Sequence, residues 1–80
     1  MDYLLNCENS NIAIELLNKF REEGVRARVV PTPSSIIDGC GLSLVIKGDD
    51  EFKKANKYND KFIAYQIIKN SEKQNTYLRL

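Results

Sequence analysis

Two cysteines carry the nucleophilic chemistry of this chain, and one of them, Cys40, stands between glycines in "DGCG", Asp38 to Gly41. The thiolate, not the thiol, is the nucleophile. At an ordinary pKa of about 8.5 only about 3% is ionised at pH 7, so a reactive site has to lower that value. Gly39 and Gly41 have no side chain, so they let the backbone turn sharply and let another molecule reach the sulfur. Asp38 suits a turn, and Pro31 and Pro33 stiffen the approach to it. The second thiol, Cys7, ends the apolar run "DYLLNC". Cysteine is among the most frequently buried residues, so a core role competes with a reactive one for both, more strongly for Cys7.

The rest of the inventory narrows the chemistry. Histidine is absent, which removes the commonest general base and the commonest metal ligand and effectively excludes Ser/His or Cys/His catalysis and zinc sites within one chain. No cofactor loop is recognisable, and neither a cofactor nor a metal is expected. Two cysteines are too few for the disulfide-dense scaffolds of small secreted domains. A net charge of +1 advertises neither nucleic acid nor membrane as a partner. No apolar run is long enough to span a bilayer and no signal segment opens the chain, so the expected location is cytoplasmic.

The elements that must position these residues follow from periodicity. Asp2 to Cys7 reads as a first, central strand. In "ENSN" Asn9, Ser10 and Asn11 compete as helix N-cap, with Ser10 favoured. Ile12, Ile14, Leu16, Leu17 and Phe20 then supply the steps of a helical face, and Gly24 closes the helix. "VRARVV" alternates Val25, Ala27 and Val29 with Arg26 and Arg28, a half-buried strand ended by the prolines. The arginines suit a solvated face, or one that orients an anionic partner. "LSLVIKG" is a third strand. "DDEFKKANKYND" is a second helix with Asp49 near its cap and Phe52, Ala55 and Tyr58 facing inward. "KFIAYQIIKN" is a last strand. "TYLRL" is either an added edge strand or a loose tail.

The order β-α-β-β-α-β is the split βαβ pattern of ferredoxin-like α+β folds, with strand order 4-1-3-2, antiparallel neighbours and two helices on one face. Eighty residues form one domain, with a core over about residues 2–68 and residues 69–80 as tail or extra strand. In this topology the end of the first strand, the start of the first helix and the connector between strands two and three share one end of the sheet. Cys7 and Cys40 are then close to one another, facing or one register step apart, within reach of a disulfide if their Cβ vectors agree. The helix start, Ser10 to Ala13, would favour a thiolate there.

Over "GVRARVVPTPSSIIDGCGLSLVI" the chain resembles the small bacterial and archaeal proteins known as putative selenium/sulfur carrier protein-like. The matching features are a first strand and helix, "G-V-R-x-R-V-V-P-T-P", a spacer, "C-G-L" and an apolar strand, over roughly Tyr3 to Ile67. The resemblance implies that Cys40 holds sulfur or selenium as a persulfide or selenosulfide and passes it to another protein. Ser34 stands where members of that family often carry a basic residue, and Cys7 lies outside the matched pattern. The expected function is a thiol-dependent carrier or accessory protein without independent catalysis. Its partners would be sulfur or selenium donor and acceptor proteins, with homodimerisation open. The alternatives are a non-catalytic interaction or ligand-sensing module and a reversible Cys7/Cys40 thiol-disulfide switch.

Overall fold

A computed structural model describes residues 1–36, 41–70 and 75–80. The strands are β1 (Asp2–Cys7), β2 (Ala27–Pro31), β3 (Leu42–Lys47), β4 (Phe62–Lys69) and β5 (Asn75–Arg79). The helices are α1 (Ser10–Glu22) and α2 (Asp49–Ala55), and α2 continues into a 3-10 segment over Asn56–Lys61. All five strands join one sheet in the order β2-β3-β1-β4-β5, and every paired neighbour is antiparallel. This is the ferredoxin-like α+β arrangement that the element order predicts. All of "TYLRL" but its last residue, Leu80, falls in β5, an added edge strand against β4, with Tyr77 opposite Ile67 and Arg79 opposite Tyr65.

Strand alternation divides the apolar residues between two faces. Leu5, Cys7, Leu44 and Ile46 pack with Ala13, Leu16 and Phe20 of α1, Val25 and Ala55 in the core beneath the helices. Leu4, Tyr65 and Ile67 form a second cluster on the helix-free face, joined by Val30, Ile36, Val45, Ile63 and Tyr77. In the central strand β1, "LLNC" is buried throughout because neighbours lie on both sides and material covers both faces.

Helix α1 corrects two expectations. Its N-cap is Asn9, not Ser10: Asn9 has extended backbone angles and its Oδ1 accepts from the Ile12 N–H at 2.9 Å, so Ser10 is the first helical residue. The buried face is Ala13, Leu16 and Phe20, while Ile14 is 51% exposed. At 100° per residue, Ile14 lies a full step past Ala13 and off the stripe. Gly24 does close the helix, with a φ of 75° that a side chain would strain. Removing the cap oxygen in Asn9→Ala should cost about 1 kcal/mol, read as a lower urea midpoint, whereas Ser10→Ala should be near neutral.

The other departures are smaller. Val29 is 38% exposed because β2 is the sheet edge, where an inward-pointing residue has a neighbour on one side only. The second helix is α only as far as Ala55 and then tightens to 3-10, yet Phe52, Ala55 and Tyr58 all pack against the helix-side core as predicted. No helix among the described residues is long and apolar enough to cross a membrane.

A polar clamp holds the 3-10 segment to the end of α1. Glu23 pairs with the Lys57 ammonium and accepts from the Tyr58 hydroxyl. The Lys57 and Tyr58 hydrogen bonds hold the Glu23 carboxyl below its ordinary 4.5, and Glu23 in turn raises both Lys57 and Tyr58. A carboxyl with a lowered folded pKa stabilises the fold above its ordinary value, and that contribution is lost as pH falls through the folded value. The raised Lys57 and Tyr58 act in the opposite sense, contributing below their ordinary values and losing the contribution as pH rises past them. Thermal unfolding midpoints should therefore fall on acidification below 4.5, and Glu23→Gln should flatten that acid limb while lowering the midpoint slightly at neutral pH.

Candidate functional site

The predicted meeting of elements at one end of the sheet is present. β1 finishes where β3 begins, with Asn6 opposite Ser43, and β2 finishes at the same level, with Pro31 opposite Leu42. β4 starts there too, with Phe62 opposite Cys7, and α1 begins a short step beyond Cys7. The connector leaving β2 therefore emerges at this end. Ile37, Asp38, Gly39 and Cys40 lie outside the described residues. The expectations for Asp38, Gly39 and Cys40, including proximity of Cys40 to Cys7, concern those positions.

Sequence reasoning passed over the residues that root this connector. Asn6 and Ser43 are 2% and 0% exposed, on the helix-free face of β1 and β3. The Asn6 Nδ2 donates to Ser43 Oγ at 3.0 Å and to Thr32 Oγ1 at 3.2 Å, and the Thr32 and Ser43 hydroxyls share a hydrogen bond of 2.7 Å. Buried polar groups are tolerated where they satisfy one another, and a one-residue slip of β3 would turn Ser43 away from this cluster. The trio therefore fixes where Thr32 sits over β1 and β3. One more bond closes the loop, since the Thr32 N–H donates to the Gly41 carbonyl at 2.9 Å. The signal was available in the sequence: a polar residue interrupts each of the apolar runs "YLLNC" and "LSLVI", and a threonine separates the two prolines.

The prolines and Gly41 take specific places. Pro31 ends β2 at the sheet edge, where a missing N–H breaks no interior ladder. Pro33 starts a turn, its carbonyl accepting from the Ile36 N–H at 3.0 Å, and Ile36 then packs on the helix-free cluster. Gly41 does not have a positive φ, and an added Cβ would meet nothing within 4 Å. The sharp turn expected of Gly41 is thus not required by its own backbone; what its lack of a side chain leaves is open space beside the chain.

Cys7 has a different setting. It is 0% exposed and belongs to the helix-side core with Leu5, Ala13 and Phe20. Thr32 and Ile36, the described beginning of the connector, associate with the opposite face of the sheet. Beside Cys7 the surface forms an open hollow of about 330 Å³ whose lining includes Asn6, Glu8, Ile12, Asp60, Lys61 and Phe62. Ser10 is exposed at the start of α1, and with Asn9 occupying the Ile12 amide, the remaining orphan donors of the first turn are the Ser10 and Asn11 N–H groups.

The family described as putative Se/S carrier protein-like matches residues 2–70. The chain belongs to that family. The match takes in β1 to β4, both helices and the whole connector, and leaves β5 outside. No curated protein and no solved structure matches the chain.

Proposed function

We propose that this protein carries sulfur or selenium on Cys40 and delivers it to a second protein. The observation that supports this reading is the carrier-family match over residues 2–70, which spans Cys40 and its connector. The Asn6–Thr32–Ser43 cluster and the Thr32–Gly41 bond add a physical reason: they root both ends of the cysteine-bearing segment on the two central strands. A carrier needs that rooting, because its sulfur must be presented to two partners in turn.

The transfer balances without an external oxidant. The Cys40 thiolate attacks the terminal sulfur of a donor cysteine persulfide, a new S–S bond forms on Cys40, and the donor's own S–S bond breaks to release its thiolate. Delivery is the same exchange with an acceptor thiolate attacking the terminal sulfur on Cys40. With selenium the intermediate is a selenosulfide. Since the chemistry resides in the exchanged sulfur, the protein itself supplies an accessible thiolate and a docking surface, and donor and acceptor proteins supply the rest. A compartment that keeps thiols reduced, the cytoplasm, suits such a bond. Cys7 has no part in this exchange; its thiol fills the helix-side core.

The test is to incubate the protein with a cysteine desulfurase and cysteine and to measure intact and peptide masses. The expected result is a gain of one sulfur atom on the peptide holding Cys40. Loss of two hydrogens joining Cys7 to Cys40, with no sulfur gained, would instead establish the thiol-disulfide switch and overturn the carrier reading.

A further inference from the structure

The strands of this nearly neutral protein carry an excess of positive charge. The helices carry both signs, with Asp49, Asp50 and Glu51 in the first turn of α2 and Lys53 and Lys54 in its last. The strands hold a single acid, Asp2, against four cations, Arg28, Lys47, Lys69 and Arg79. Register places all of these on the helix-free face. Arg28 is opposite Val45 and Arg79 is opposite Tyr65, while Lys47 and Lys69 lie two residues beyond Val45 and Ile67; Val45, Tyr65 and Ile67 all belong to the helix-free cluster. All four cations are exposed.

Asp2 is already engaged, 3.3 Å from Lys69, and among the described residues Arg28, Lys47 and Arg79 form no ion pair. Arg28 and Lys47 are diagonal neighbours across β2 and β3, a separation of about 7–8 Å at which like charges repel. Two adjoining hollows share these residues. One, of about 690 Å³, runs past Arg26, Arg28, Lys47 and Glu51 at the β2 edge; the other, of about 260 Å³, crosses Leu4, Val30, Val45, Ile67 and Tyr77 towards Pro31 and Pro33. The surface is thus a basic trough with an apolar floor that ends at the connector.

We infer that this trough docks an extended acidic segment of a partner protein. Carboxylates at positions i and i+2 of an extended chain point the same way about 7 Å apart, the spacing of Arg28 and Lys47. A segment lying this way would relieve the repulsion between the two cations. Few cations are involved and Asp2 lies among them, which suits a short acidic peptide better than a polyphosphate backbone, whose binding scales with the number of phosphates neutralised. That the partner is the donor or acceptor of sulfur rests on the carrier reading; the docking itself rests on the sheet's charges alone.

The probe is a hexapeptide of alternating glutamate and threonine, titrated into isotopically labelled protein and followed by amide chemical shifts. Shifts centred on β2 and β3 and extending to the facing parts of β1, β4 and β5 are expected, together with at least about tenfold weaker binding when salt is raised from about 50 to 500 mM. The double variant R28E/K47E should abolish the shifts. K19E/K53E, which changes net charge equally on exposed helix positions, should not. R28Q/K47Q keeps a readout free of new repulsion and should weaken binding with the amide spectrum still dispersed. No shifts at millimolar peptide, equal loss in K19E/K53E, or tighter binding of a hexathymidine oligonucleotide at the same face would overturn the proposal. Desulfurase loading of the unaltered protein separates the two readings, since failure of Cys40 to load bears on the carrier, whereas failure of the peptide to shift the strand amides bears on the trough.

Discussion

Cys40→Ser should abolish sulfur loading while leaving the fold intact, and Cys7→Ala should do the reverse. The serine oxygen is close in shape to sulfur but forms no persulfide, so after desulfurase treatment the C40S protein should show no added mass. Its urea midpoint should stay close to that of the unaltered protein, because the hydrogen bonds among Asn6, Thr32, Ser43 and Gly41 are made by amide, hydroxyl and backbone groups that the substitution leaves in place. Cys7→Ala removes a fully buried atom from the core against Leu5, Ala13 and Phe20, which should cost on the order of 1 kcal/mol and leave loading unchanged. The pair of variants is read by intact mass and by urea unfolding. Full loading of C40S would place the sulfur on Cys7 and sink the assignment.

Phe20→Ala should remove a large share of the protein's stability at 25 °C. Phe20 is 0% exposed, and its ring meets Tyr58 at a centroid distance of 5.9 Å, tilted by 59°. Its carbonyl also accepts from the Val25 N–H at 2.8 Å as the chain turns towards β2. Replacing a buried phenylalanine by alanine costs about 3–5 kcal/mol. A domain of this length holds about 4–12 kcal/mol in total, from roughly 0.05–0.15 kcal/mol per residue. The expected result is a urea midpoint lowered by more than about 1 M, from a loss of about 3–5 kcal/mol at a slope of about 1–3 kcal/mol/M. Ile14→Ala, on the same helix but exposed, should shift the stability by less than about 0.5 kcal/mol. Equal effects of the two substitutions would contradict the packing of α1.

The order of elements was legible because each carries its own periodicity. Val25, Ala27 and the arginines alternate, Gly24 stops α1, and the prolines stop β2, so the split βαβ pattern and the shared end of the sheet follow without any contact being known. The N-cap was harder to read. Asn9, Ser10 and Asn11 all have a capping oxygen, and only the backbone angles entering the helix select Asn9. Ile14 misled for a similar reason: hydrophobicity marks candidates for burial, but the angular position relative to Phe20 decides which of them meet the sheet. The extra strand β5 was one of two readings of "TYLRL", since an isolated five-residue run has no preference until β4 offers an unpaired edge.

The sequence by itself determined the chemistry available, a thiol between two glycines with no histidine beside it, together with the strand and helix order that brings the connector to one end of the sheet. Tertiary structure decided which polar residues matter there. Asn6, Thr32 and Ser43 come from three separate segments, and only register places their oxygens and nitrogen within 3.2 Å of one another. It also decided the face on which Cys7 and the strand cations lie. Side chains in a strand alternate, so each residue's company is set by the parity of its pairing, and that parity is a property of the assembled sheet.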